Sequence, residues 1–128
     1  MISEATTKKS KMTITTTTKI VDFQNEFMRL FPFLKIEFFR EPHDKGEKSA
    51  SEDMVFNRIT PLSKIDNFTK MGVFEFNPDM LVTDVEQELQ KQFGLSTQIF
   101  YKVKGEWVDI TTNTPVLTLA AQNAKGTE

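Results

Sequence analysis

A single histidine, His43, is the one side chain here whose ordinary titration range suits proton transfer near neutrality. It stands among Glu41, Asp44, Glu47, Glu52 and Asp53. One imidazole with carboxylates from the same stretch makes a weak, hard-cation type of ligand set, and calcium-loop spacing is absent. A hydrolase triad would need this same histidine, and no serine lies in a nucleophile-elbow pattern. The five glycines are scattered singly, so no phosphate-cradling loop forms. With no cysteine there is no thiolate ligand, thiol nucleophile or disulfide. Glu37, Glu75 and Asp109 fall on strand-like segments and read as solvent-facing positions of an open sheet. These absences predict a chain that is not an enzyme and takes no cofactor or metal; His43 belongs to a solvated polar loop.

The aromatic residues carry the other candidate chemistry. There are 12 Phe, one Trp and one Tyr in 128 residues. Phe has no polar handle, so most copies belong to a core. At strand positions, however, the two faces separate. If Leu34, Ile36, Phe38, Ile99, Tyr101 and Val103 pack beneath helices, then Phe39, Phe100 and Trp107 point the other way. They would stand among Lys35, Arg40, Lys102 and Lys104. Phe39, Arg40, Phe100, Lys102 and Trp107 are therefore the candidate binding residues. Aromatics interleaved with basic groups on an open sheet can stack single-stranded RNA. Here the net charge is −2 and no RNP-like motif occurs, which speaks against nucleic acid. The alternatives are a small ligand on that face, or its coverage by a loop or a partner.

The elements that would hold these residues centre on Leu81–Ile110. Thr83-Asp84-Val85-Glu86 reads as a capping box, with Thr83 as the N-cap. Val85, Leu89 and Phe93 form one helical stripe, and Gly94 suits a left-handed C-terminal residue. Ile99, Tyr101 and Val103 alternate as a strand. Lys104-Gly105 offers a turn, and Glu106–Ile110 returns as a second arm.

An echo lies at Ile20–Arg40. Ile20, Phe23, Phe27, Leu30 and Phe31 form a helical stripe stopped by Pro32, and a strand Leu34–Phe39 follows. Asp22/Asp84, Glu26/Glu88, Phe27/Leu89 and Phe31/Phe93 repeat at a shift of 62, because 84 − 22 = 62. Strand faces match at 63, as Ile36/Ile99 and Phe38/Tyr101, implying a one-residue indel. Thr60-Pro61-Leu62 likewise resembles Thr114-Pro115-Val116. A tandem duplication is the expectation, with pseudo-repeats over 12–70 and 71–123.

The rest is expected in chain order. Residues 1–11 form a disordered basic tail, and Thr13–Thr18 a first strand with Ile14 inward. Glu41–Asp53 is the main loop; Met54–Phe56 anchors it or forms a short strand. Leu62, Ile65 and Phe68 line a short helix, and Gly72–Asn77 is a strand. Thr118 caps a last helix, Leu119–Asn123, and residues 124–128 fray. Residues 12–123 thus form one α+β domain with a two-layer build. A ferredoxin-like split βαβ sheet with both helices on one face is the plainest layout, and a β-grasp, ubiquitin-like sheet the alternative. No apolar run is long enough for a membrane span. The expected role is a non-catalytic protein-interaction domain in the cytoplasm, meeting a protein partner or a second copy through the sheet.

Several stretches also resemble one family. They are Phe31-Pro32-Phe33-Leu34-Lys35-Ile36-Glu37-Phe38-Phe39, Phe93-Gly94-Leu95 before Gln98-Ile99-Phe100, Trp107 with Thr111-Thr112, and Thr118-Leu119 with Gln122-Asn123 and Gly126. Together, from about Met12 onward, they resemble a family of small uncharacterised proteins of Bacteroidetes-type bacteria. That family's pattern has a basic residue with Ser-Gly in the hairpin turn and a Trp before Thr-Leu; this chain has Val103-Lys104-Gly105 and Leu117. The resemblance implies a stand-alone bacterial domain and transfers no catalytic residue.

Overall fold

A computed structural model describes residues 10–40, 53–110 and 116–128. His43 and its acidic neighbours from Glu41 to Glu52 lie outside the described residues, as do the tail before Ser10 and the turn over 111–115. The elements in order are β1 (Ser10–Ile14), α1 (Ile20–Leu30), β2 (Leu34–Phe39), a 3-10 turn (Leu62–Lys64), β3 (Gly72–Phe76), α2 (Val82–Phe93), β4 (Ser96–Val103), β5 (Glu106–Asp109) and α3 (Leu119–Ala124).

The fold is two-layer α+β, as expected. Its strands divide between two antiparallel ladders, β1–β3 and β2–β4–β5. Aromatic rings pack between the two ladders. Phe23 of α1 stands edge-on to Phe38 of β2 at 5.5 Å and to Phe76 of β3 at 5.4 Å, so one ring fills the space between the ladders. Phe74 and Phe76 alternate inward on β3, and Phe27, Phe31 and Phe93 extend the same ring cluster. Edge-to-face pairs of this kind add about 0.5–1.5 kcal/mol each beyond area burial. Ile14, Ile20, Leu34, Ile36, Leu62, Val85, Leu89 and Ile99 complete one continuous core.

Local signals placed most elements. Gly94 ends α2 with φ 72°, as expected. Lys104 and Gly105 both take positive φ, at 50° and 84°, the type I′ geometry that matches strand twist. Thr118 caps α3, its hydroxyl accepting from the Ala121 amide at 3.1 Å.

Four expectations need correction. The first strand is Ser10–Ile14 rather than Thr13–Thr18. Threonine hydroxyls stitch residues 15–18 into a turn instead; the Thr15 amide donates to Thr18 Oγ1 at 2.9 Å. Ser10 and Lys11 therefore belong to the sheet, not to a tail. Helix α2 starts at Val82 with Leu81 as N-cap, so Thr83 lies inside it and builds no capping box. The Val82 amide is already satisfied by Leu117 O at 3.0 Å. At the C-terminus, Thr127 N donates to Lys102 O and Lys104 N to Thr127 Oγ1, both near 2.8 Å or below, so the end is docked rather than frayed.

The two halves make matching bonds. Lys19 bridges Pro61, and Leu81 bridges Thr118. Ile20 N donates to Thr60 O and Val82 N to Leu117 O; Leu62 N donates to Thr18 O and Leu119 N to Met80 O. Thr60, Pro61 and Leu62 thus make the same set of bonds as Leu117, Thr118 and Leu119; Thr114 and Pro115, the expected match, lie outside the described residues. Along the free edge of β2, Met54 bridges Phe39 and Val55 N donates to Phe38 O, so residues 54–55 flank β2 as β5 flanks β4.

Candidate interaction face

The register of β2–β4–β5 decides which side chains share the face turned from the core. Residues opposite one another in a ladder point the same way. Lys35, Phe100 and Asp109 form one row, and Lys102 and Trp107 the next. Glu37 opposes Gln98, and Phe39 opposes Ser96.

This face has a covered end and an open end. Phe39 is 1 % exposed, with Ser96 and Gln98 also buried. Phe39 is therefore not a binding residue: the Met54 bridge runs beside it, and it packs away from water. Arg40 lies beyond the strand, where its amide donates to Asp53 O and its carbonyl accepts from Asn67 Nδ2. That places it at the covered end, apart from the other candidates. Phe100, Lys102 and Trp107 are brought together, half-buried, at the open end.

Their surroundings are set by two lysines. Lys35 Nζ lies 5.3 Å from the ring centroids of both Phe100 and Trp107, and Lys102 Nζ 5.9 Å from that of Trp107. Cation–π contacts at such range contribute about 0.5–1 kcal/mol when exposed. Lys35 also pairs with Glu37 at 3.2 Å. Glu37 in turn accepts from Gln24 Nε2 of α1 at 3.1 Å.

Reasoning from the sequence missed the acidic members of this face, Glu37 and Asp109, as neighbours of the aromatics. Strand alternation already placed Lys35, Glu37, Phe100 and Lys102 on one side; the β2–β4 register was the missing link. Two cations and two carboxylates leave the open end without net charge. Glu75, the third strand carboxylate, stands on the other ladder opposite Lys11.

Among the described residues, no group of three or more His, Cys, Asp or Glu is placed to hold a metal ion. No helix among them is long and apolar enough to cross a membrane. Comparison of the chain with protein-family models, with curated proteins and with solved structures found no match.

Proposed function

We propose that this chain is a non-catalytic protein-interaction domain that self-associates through the open end of the β2–β4–β5 face. One observation carries the reading: Trp107 and Phe100 stand half-exposed side by side on a surface whose charges balance. Trp is the residue type most enriched at interface hot spots. A face bearing both signs can meet a copy of itself across a twofold axis, since each Lys then finds a carboxylate. The stacked ammonium groups favour a protein partner over nucleobases. They already lie over the ring faces that a base would need, and Glu37 and Asp109 repel phosphate.

We also propose that the domain arose by duplication of one strand–helix–strand module. The matched bonds of the two halves support this. So does the pairing of Ile36 with Ile99 and of Met12 with Phe74, residues 63 and 62 apart that oppose one another directly. Antiparallel strands related by a twofold must set one residue against its own counterpart. A chain that contains an internal dimer of modules has one shared core and two outer sheet edges, which suits further association.

Sedimentation velocity over a range of concentrations tests self-association. Wild type is expected to form a dimer as concentration rises, and Trp107→Ala to remain monomeric at the same concentrations. A wild type that stays monomeric throughout would sink the proposal. Trp107 emission titrated with single-stranded oligonucleotides is expected to stay flat.

A further inference from the structure

The position of Lys35 over the two rings is fixed from the far side of the sheet. Gln24 of α1 is buried, and all of its amide is engaged. Its Oε1 accepts from Arg58 Nε at 2.6 Å. Its Nε2 donates to Ile36 O at 2.9 Å and to Glu37 Oε1 at 3.1 Å. The opposite amide orientation would set an oxygen against two acceptors and an NH₂ group against a guanidinium, so only one orientation is compatible with these neighbours. Glu37 Oε2 then holds Lys35 Nζ at 3.2 Å, and Lys35 lies over Phe100 and Trp107.

We infer that Gln24 is the positioning residue of the aromatic face, linking Arg58 on one side to the Lys35 ammonium over Trp107 on the other through Glu37. The link is directional. A lysine stem samples many rotamers when free, and ordering one costs conformational entropy. A single exposed ion pair returns less than that. Glu37 can order Lys35 because Glu37 is itself held by a buried donor. Arg58 lies on the segment that runs from β2 to the 3-10 turn, and its carbonyl accepts from Val21 N at the start of α1. That segment and the Trp107 face are therefore coupled through one amide side chain.

The inference deepens the reading of the same face, and its test uses dilute, monomeric protein, so its failure is separate from a failure to self-associate. The readout is the Lys35 ε-methylene resonance by NMR, which ring currents shift upfield in wild type. Arg58→Ala and the isosteric Gln24→Glu are each expected to move it toward the value of a free lysine, while core amide resonances stay in place. A role of Gln24 in packing alone would tolerate the isostere; the relay does not, because a carboxylate would face Glu37 and Ile36 O. Lys35→Ala with wild-type Trp107 calibrates the change in Trp107 emission that loss of the ammonium produces, and Arg58→Ala should show the same change. If Gln24→Glu does not fold, Arg58→Ala decides alone, since Arg58 is exposed. A Lys35 resonance that stays upfield in Arg58→Ala overturns the inference.

Discussion

Ile36 and Ile99 face each other across the β2–β4 ladder, and each is hydrogen-bonded by the helix of its own half. Gln24 Nε2 donates to Ile36 O at 2.9 Å, and Ile99 N donates to Glu86 Oε2 at 2.9 Å. Gln24 and Glu86 are 62 residues apart, because 86 − 24 = 62. One pins a carbonyl and the other an amide, so an amide side chain serves in the first half and a carboxylate in the second. Both ends of the central pair are thereby closed to water.

This arrangement predicts an asymmetric response at Glu86. Removing the acceptor in Glu86→Ala leaves the buried Ile99 amide unpaired, at a cost of about 1–3 kcal/mol. Glu86→Gln retains an acceptor oxygen and should lose less than half as much. Urea denaturation would measure this as a fall in midpoint without a change of slope.

Two glycines with similar backbone angles should differ in how far they tolerate alanine. Gly94 and Gly105 both have positive φ, which costs a residue with a Cβ about 1–2 kcal/mol. A Cβ on Gly94 would also stand 1.8 Å from Asn67 O, while one on Gly105 meets nothing within 4 Å. Gly94→Ala is therefore expected to lower the thermal midpoint much more than Gly105→Ala. Equal losses in a calorimeter would show that the clash relaxes freely.

Gly126→Ala probes the docked end. Its Cβ would lie 2.2 Å from Phe33 Cβ. Overpacking costs about 1–3 kcal/mol when the neighbours cannot move. Here the segment can lift away, breaking the bonds of Thr127 to Lys102 and Lys104. Hydrogen exchange at the Thr127 and Lys104 amides should accelerate, with exchange in α1 and α2 unchanged.

On α1, the hydrogen bond from Arg29 holds the Glu26 carboxyl below its ordinary range; partial burial opposes this, and the Arg29 charge adds to it. A depressed carboxylate stabilises the fold above its unfolded pKa, and the contribution is lost as pH falls through the folded value. Wild type should thus exceed Arg29→Ala in stability at neutral pH by a small, salt-sensitive margin, and the two should converge in acid. A gap that widened as pH fell would contradict the assignment.

Much of the architecture was legible because its causes are local. The stripe Ile20–Phe23–Phe27, the alternation of Leu34–Phe38, the Gly94 terminus, the Lys104-Gly105 turn and the Thr118 cap each depend on neighbours within a few positions. Glu86 was misread because three-residue spacing from Thr83 satisfies a capping rule equally well. Its actual donor, Ile99, is 13 residues away, and Leu117 already serves the Val82 amide. Phe39 was misread for a related reason: alternation fixes which face a residue takes, not what lies against that face.

The amino-acid order by itself determined the α+β class, the helix stripes of α1 and α2 and most of the inward Phe set, since backbone propensity and side-chain period act over short range. Tertiary structure decided that the strands form two ladders, that Phe39 is covered, and that Lys35 and Trp107 meet with Glu37 between helix and face. Those outcomes depend on which distant groups satisfy a given amide, carbonyl or ring. Such partners lie far along the chain, as Gln24 does from Ile36 and Glu86 from Ile99, and therefore leave no local signature.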